Sequence, residues 1–285
     1  MIHFSVIENL SSKSGVPREV IEKDYCITWF LIAASSLIES KEIIFYGGTA
    51  LKKIYFPDYR FSEDIDFIST KDYKTENILD LMERLYTALR NKVNINFSTE
   101  EETIERQGSR LQFFIVYDGF PELEALNKRI KIDFAFGSEL FQKAQPKKLY
   151  CGYSDMKGLN VRLFTYSLEA IVTDKIGTIL SANRTEPRDL YDLWFLFKNC
   201  NLNYNKVKSI FKSKFGYALD WTTVMPSLHS LIYKERWENR LLRQVANLPD
   251  FDKVLKETEQ GLKRYLPRKC KIETRKILPK KEQRK

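Results

Sequence analysis

Apolar side chains recur along the chain with two different periods, and the period separates helices from strands. Between Pro17 and Ile38 they return every three or four residues, which predicts a helix that starts at the proline. Between Asp64 and Ser69 polar and apolar residues alternate strictly, which predicts a strand. The same criteria predict further helices at 49–56, 75–90, 167–182, 187–199, 205–215, 222–237 and 251–265. They predict further strands at 42–46, 93–97, 111–117, 129–136 and 160–165.

The order of these elements indicates the fold class. Up to about residue 160, strands and helices follow one another without the regular alternation of a doubly wound sheet, and mostly helices follow. We therefore expect an α+β protein. Its parts would be a mixed-sheet domain at 1–160, a helical domain at 161–265 and a tail at 266–285.

Composition excludes several classes of protein. Charged residues make up 30% of the chain and hydrophobic residues 43%, which is typical of a folded globule and unlike a disordered chain. The apolar stretch from Tyr25 to Ile38 is too short to span a bilayer, and the first residues do not resemble a signal peptide. We expect no membrane association and a cytoplasmic location.

Cysteine and histidine are too few for several kinds of site. The four cysteines are widely spaced, which indicates neither a zinc site nor a disulfide framework. With only His3 and His229, a His-rich metal site or a Ser-His-Asp triad is poorly supported. Metal chemistry in this chain should therefore use oxygen ligands.

The net charge of +9 is confined to the end of the chain. Residues 263–285 contain eleven Lys or Arg and two Glu, whereas the rest of the chain is neutral. Such a segment is suited to contact RNA phosphates. A solvated end that binds nothing has the same composition.

Paired carboxylates form the first candidate site. Asp64 and Asp66 leave one face of their strand about 7 Å apart at the Cα atoms, so a divalent cation can bridge them and relieve their repulsion. The alternative is an edge strand whose acidic face is exposed to solvent, which shows the same D-x-D pattern. In the predicted strand at 129–136, Asp133 lies opposite the bulky apolar residues. It can complete an oxygen site for magnesium, and an exposed aspartate is the alternative.

Two glycines precede these acids. Gly47 and Gly48 lie between a predicted strand and a helix that Thr49 would cap, where backbone N–H groups and the positive helix end favour a phosphate. Any tight turn can use such glycines. Their position, sixteen residues before Asp64, is what gives them weight.

A lysine interrupts the apolar stripe of the predicted helix at 167–182. Lys175 lies near the centre of that stripe, where an ammonium group is costly unless it reaches solvent, a ligand phosphate or a carboxylate. On the next predicted helix, Asp189 and Asp192 lie on one flank of the apolar stripe. Asp189 can simply favour the positive helix end, whereas Asp192 can orient Lys175 or a nucleotide.

Two blocks of sequence resemble a known family. Residues 47–51 read GGTAL and residues 60–67 read RFSEDIDF. Together they closely resemble the signature of the AbiEii/AbiGii toxin family, a branch of the nucleotidyltransferases similar to DNA polymerase β. Further agreement comes from EKDY at 22–25, KID at 131–133, SLE at 167–169 and RDLYDL at 188–193. One departure is Gly48-Thr49, where the wider superfamily has Gly-Ser.

The resemblance implies a nucleotidyltransferase domain followed by a helical domain, with the nucleotide in the cleft between them. Its implied Mg²⁺ ligands are Asp64, Asp66 and Asp133. The further implied catalytic residues are Lys175 and Asp192. The candidate nucleotide contacts are Gly47, Gly48, Thr49, Arg60 and Ser62.

These features predict a toxin that uses two Mg²⁺ ions to transfer a nucleoside monophosphate from an NTP to an acceptor hydroxyl. The resemblance suggests RNA as the acceptor, particularly the 3′ end of a tRNA, and a cognate antitoxin as a partner protein. Two alternatives stay open. A metal-dependent nuclease would use the same three carboxylates, and a non-catalytic relative would bind RNA without consuming nucleotide.

Overall fold

A computed structural model describes residues 1–37, 42–124, 128–137, 144–181 and 185–265. Its α-helices are α1 (Phe4–Ser14), α2 (Arg18–Leu37), α3 (Gly47–Ala50), α4 (Thr75–Val93), α5 (Leu168–Leu180), α6 (Pro187–Asn199), α7 (Tyr204–Phe215), α8 (Trp221–Leu228), α9 (Leu231–Leu241) and α10 (Phe251–Tyr265). Its strands are β1 (Ile43–Tyr46), β2 (Asp64–Ser69), β3 (Phe97–Gln107), β4 (Arg110–Tyr117), β5 (Arg129–Ala135), β6 (Gln145–Lys148) and β7 (Arg162–Thr165). A π-helical turn at Leu51–Tyr55 continues α3, and a 3-10 turn lies at Ser154–Met156.

Within these ranges the strands form one mixed sheet in the order β3-β4-β5-β2-β1-β7-β6. The β2 strand runs parallel to β5, and β1 runs parallel to β7. The other neighbouring strands are antiparallel. This mixed sheet, combined with helices outside any regular alternation, confirms the predicted α+β class.

Each face of the sheet packs against a different hydrophobic cluster. Ile65 and Phe67 of β2 belong to the first cluster, together with buried residues of α1, α2 and α4. Ile44 of β1 and Ile68 of β2 belong to the second cluster, which is built mainly from α5 to α10. Because side chains alternate along a strand, Asp64 and Asp66 share the face of the second cluster. They therefore lie between the sheet and the helical part of the chain.

Local sequence fixes where the two helices nearest the carboxylates begin. The Ser167 side chain accepts a hydrogen bond from the N–H of Ala170 and so caps α5. Pro187 occupies the first turn of α6, where its missing N–H would have no helical partner. The α5 helix packs against α6, α7 and α8, which sets α5 and α6 side by side above the sheet.

Most of the predicted elements are confirmed within the described residues. The strand at Asp64–Ser69 and the helices at Pro187–Asn199 and Phe251–Tyr265 have the predicted bounds. The prediction missed α1, β6 and all of β3 beyond Phe97. The domain boundary near residue 160 stays a prediction, and the basic tail at 266–285 lies outside the described residues.

Two predicted elements are wrong. The predicted strand at 93–97 is misplaced, because α4 continues to Val93, where Asn94 stops it in the left-handed conformation at φ 54°, and β3 begins only at Phe97. The predicted helix at 222–237 is two helices, since Ser230 has an extended backbone between α8 and α9. Among the described helices, none combines the length and the hydropathy that crossing a membrane requires.

Candidate active site

Three carboxylates share one face where β2 and β5 lie side by side. The register of the two parallel strands pairs Asp66 with Asp133, and Asp64 is the next residue of β2 on the same face. Neighbouring strands are about 4.8 Å apart, so the side chains of Asp66 and Asp133 are close. The structure thus brings together the three predicted metal ligands.

The central carboxylate of this group is electrostatically strained. Burial raises the pKa of Asp66 to about 7, and the nearby charges of Asp64 and Asp133 add to that increase. Lys175 and Arg188 oppose it. A bound cation would relieve the same repulsion, because it would neutralise the carboxylates together.

The carboxylates are held by cationic side chains. In the described residues, no three His, Cys, Asp or Glu side chains are arranged to hold a metal ion. Lys131 Nζ lies 2.7 Å from Asp133 Oδ2, and Arg188 Nη1 lies 3.0 Å from Asp64 Oδ2. A metal that used either of these two oxygens would have to displace the cation from it.

The donor set nevertheless fits magnesium. All three candidate ligands are hard oxygen donors, which Mg²⁺ prefers. Asp133 Oδ1 is buried and makes no hydrogen bond with the described residues, and Arg110 Nη2 lies 3.6 Å away. A buried carboxylate oxygen without a hydrogen bond is costly, and a metal ion would supply its partner.

The glycine bend lies directly against Asp66. Gly47 has φ +84°, and a Cβ at this position would lie 2.1 Å from Asp66 Oδ2. A Cβ on Gly48 would lie 3.0 Å from Arg60 Nη2 and 3.2 Å from Ser62 Oγ. Glycine is therefore required at residue 47 by both conformation and space. The bend, Arg60 and Ser62 come together as the sequence predicted.

Thr49 supports the glycine bend by a hydrogen bond and not by capping the helix. The prediction that Thr49 caps the helix is wrong, because α3 begins at Gly47 and Tyr46 is its N-cap residue. The buried Thr49 hydroxyl instead donates a hydrogen bond to the backbone oxygen of Asp64. Thr49 thereby ties α3 to the strand that carries the paired carboxylates.

Lys175 reaches carboxylates rather than solvent. Its Nζ lies 2.6 Å from Asp189 Oδ1 and 2.6 Å from Asp192 Oδ2, and its side chain is 12% exposed. Burial lowers the pKa of Lys175, but the two carboxylates raise it more, so the ammonium group stays charged. Of the three partners that the sequence allowed, the structure thus shows a carboxylate partner, and Lys175 also lines the cleft.

Arg60 and Asp192 form a buried link behind the bend. Arg60 Nε donates to Asp192 Oδ1 at 2.7 Å and Nη2 donates to Oδ2 at 2.9 Å, while Nη1 donates to Gln244 Oε1 at 2.9 Å. The Arg60 side chain is 1% exposed and that of Asp192 is 0% exposed. Burial opposes ionisation of Asp192, yet Arg60 and Lys175 hold its pKa well below the usual range. These contacts position the loop before β2 against α6.

Arg188 is a site residue that the sequence interpretation missed. It lies in the first turn of α6 and contacts Asp64 across the cleft. Burial lowers the pKa of Arg188, the Asp64 carboxylate raises it, and the net effect is a raised pKa. The available signal was its place at the start of the RDLYDL block, directly before Asp189.

A cleft of about 620 Å³ lies between the sheet and the helices, and it is in the size range of small-molecule sites. Its sheet wall carries the three carboxylates and the glycine bend, and its helical wall carries Lys175 and Arg188. Cations and carboxylates line it in nearly equal numbers, which suits a ligand that brings both phosphates and metal ions.

Comparison with known proteins agrees with this geometry. Residues 29–257 match the family model described as nucleotidyl transferase AbiEii toxin, type IV toxin–antitoxin system. No curated protein matches the chain significantly. The solved structure of MenT4, a nucleotidyltransferase toxin from Mycobacterium tuberculosis H37Rv, has the same fold, with a TM-score of 0.70, 14% identity, and coverage of 92% of this chain and 89% of that chain. Because the family model spans most of the chain, this protein belongs to the AbiEii nucleotidyltransferase toxins of type IV toxin–antitoxin systems.

Proposed function

We propose that the cleft transfers a nucleoside monophosphate from an NTP to an acceptor hydroxyl, with Mg²⁺ bound by Asp64, Asp66 and Asp133. The observation that carries this proposal is the register that pairs Asp66 with Asp133 on one sheet face. The glycine bend on the same wall and Lys175 on the opposite wall support it. Two ions are proposed, since three carboxylates provide enough oxygen atoms to share between them.

In the proposed reaction the acceptor oxygen attacks the α-phosphorus of the NTP. The new P–O bond forms as the bond to the oxygen that bridges to the β-phosphate breaks, and pyrophosphate leaves. Bound Mg²⁺ would neutralise phosphate charge and acidify the attacking hydroxyl. Asp133 would accept the proton of that hydroxyl through a carboxylate oxygen that the metal does not occupy.

The acceptor is proposed to approach over β4. The second hydrophobic cluster, which covers the sheet face near β1 and β7, contains no residue of β3 or β4. That part of the face adjoins Asp133 through the pairing of β4 with β5. An acceptor lying there would reach Asp133 before it reached the glycine bend, so acceptor and NTP would enter from different sides.

RNA, particularly the 3′ end of a tRNA, is the proposed acceptor, and a cognate antitoxin is the proposed protein partner. The family supports the antitoxin, and the eleven basic residues at 263–285 would supply the electrostatic contact with RNA. Deleting residues 263–285, the tail together with the last turn of α10, should weaken RNA binding and flatten its salt dependence. If neither changes, the tail takes no part in RNA binding.

The function is tested by incubating the protein with each labelled NTP, Mg²⁺ and total RNA. The wild-type chain should incorporate label into RNA, and Asp64→Asn should reduce incorporation about a hundredfold or more. Asp72→Asn is the control, since Asp72 is an exposed aspartate paired with Arg106 outside the cleft.

Other outcomes of that experiment would distinguish the proposed transfer from the two alternatives, a nuclease and a non-catalytic relative. RNA that is shortened without nucleotide would identify a nuclease. RNA binding with no consumption of any NTP would identify a non-catalytic relative. Full activity of Asp64→Asn would overturn the metal-site assignment.

A further inference from the structure

Arg188 occupies a position at which a positive charge is unfavourable for helix α6. It is in the first turn of α6, and cations at a helix N-terminus are repelled by the partial positive charge of the free N–H groups. Its guanidinium points to Asp64 across the cleft, with Nη1 3.0 Å from Oδ2. This is the only hydrogen bond that the Arg188 side chain makes with the described residues, so most of its five N–H donors are not used by them.

The contact with Asp64 conflicts with the proposed metal site. Asp64 Oδ2 is the oxygen that accepts from Arg188. A guanidinium at this oxygen would repel a divalent cation and compete with it for the same lone pairs. Metal binding through Oδ2 of Asp64 therefore requires Arg188 to move.

The ion pair between Arg188 and Asp64 is weak enough for a ligand to replace it. The Arg188 and Asp64 side chains are 27% and 26% exposed, and ion pairs that water can reach contribute little to stability. Lys175 and Arg60, two other cations that line the cleft, are more firmly held. Lys175 contacts two carboxylates, and Arg60 is bound to Asp192 through two nitrogens while almost fully buried.

We propose that Arg188 is a phosphate-binding residue that leaves Asp64 for the triphosphate when a metal-bound nucleotide enters the cleft. This inference rests on the proposed function and adds a ligand contact to it. In the free protein Arg188 occupies the position of a cation beside Asp64. Once the metal neutralises Asp64, the guanidinium offers its planar set of donors to phosphate oxygens, a geometry that suits bidentate binding.

The proposal predicts opposite effects of one substitution on two ligands. Arg188→Ala should bind Mn²⁺ alone more tightly, by a factor of up to about five, because the competing cation is gone. It should bind the Mn²⁺ complexes of α,β-methylene ATP, CTP, GTP or UTP about tenfold more weakly or worse, because a charge-assisted contact is lost. Electron paramagnetic resonance of free Mn²⁺ measures the first affinity, and calorimetry measures the second.

Two variants control the experiment. Arg106→Ala removes another arginine that is paired with an aspartate and is 26% exposed, but lies outside the cleft, so both affinities should stay at the wild-type values. Arg188→Lys keeps the charge without the planar donor set. It should leave Mn²⁺ affinity near that of the wild type and weaken nucleotide binding less than Arg188→Ala does.

The outcomes are distinguishable. If Arg188→Ala weakens both affinities, or leaves nucleotide binding unchanged, the proposal is overturned. If the Ala variant fails to fold, unchanged nucleotide affinity and kinetics in Arg188→Lys would overturn it. A wild-type chain that binds none of the four analogues would also overturn it. A wild-type chain that binds them but transfers no nucleotide would refute the proposed function alone.

Discussion

Two kinds of ion pair lie within the candidate site, and they differ in burial. The buried pair is Arg60–Asp192, whose side chains are 1% and 0% exposed. The cleft pairs are Arg188–Asp64 and Lys131–Asp133, in which all four side chains are between 12% and 29% exposed. A buried pair is fixed because separating it leaves an uncompensated charge, whereas water can replace either partner of a cleft pair. We therefore expect the buried pair to set the geometry of the candidate site, and the cleft pairs to be the contacts that the proposed ligands would exchange.

The largest effect is expected from breaking the buried pair. Arg60→Ala should lower the free energy of unfolding by about 3–5 kcal/mol, because Asp192 keeps its burial and loses its main partner. Urea-induced unfolding measures this loss. The double variant Arg60→Met with Asp192→Leu should recover much of the stability, since no charge is left alone. A double variant as unstable as Arg60→Ala would show that the cost is not electrostatic.

A smaller loss is expected at the glycine bend. Gly47→Ala should cost about 2–3 kcal/mol, because alanine is strained at φ +84° and its Cβ would collide with Asp66 Oδ2. Gly108→Ala is the matched control, since Gly108 also has a positive φ, +56°, and nothing lies within 4 Å of its added Cβ. It should cost about 1 kcal/mol. Equal losses in the two variants would mean that Asp66 simply moves aside.

The dependence of the free energy of unfolding on pH should reveal the raised pKa of Asp66. Its pKa is raised from 3.8 to about 7 on folding, mainly by burial and then by Asp64 and Asp133. Between these two values the folded state holds a proton that the unfolded state has released. Titration of Asp66 therefore lowers the free energy of unfolding as pH rises through this range, by at most about 1.4 kcal/mol per pH unit. Without added metal, Asp66→Asn should flatten this slope, and an unchanged slope would contradict the assignment.

The smallest effect is expected at a cleft pair. Lys131→Met should change the free energy of unfolding by less than about 1 kcal/mol, because the Lys131 side chain is partly exposed and the pair is screened by water. Thermal unfolding at low and high salt provides the measurement. A loss comparable to that of Arg60→Ala would erase the distinction between the two kinds of pair.

The sequence predicted the carboxylate face because strand geometry is local. Strict alternation places Asp64 and Asp66 on one side of β2, and the apolar pattern of β5 places Asp133 on the corresponding side. The boundary between α8 and α9 was missed because helical spacing continues through Ser230, and the pattern does not indicate the extended backbone at this residue.

The partner of Arg60 was beyond the reach of the sequence. Arg60 and Asp192 are 132 residues apart, and nothing in their local sequence indicates that they pair. Arg188 was missed for a related reason, since a charged residue in a first helical turn is usually on the surface. Lys175 was found because a charge inside an apolar stripe conflicts with local burial, which periodicity alone can detect.

The link between Arg60 and Asp192 also bears on the order in which the candidate site is assembled during synthesis. A growing chain that ends before α6 already carries all three carboxylates but lacks the aspartates that hold Arg60 and Lys175. Contacts so distant in sequence form only after most of the chain is available. The contacts that hold Arg60 and Lys175 are therefore completed only after α6 has been synthesised, well after the carboxylate-bearing strands.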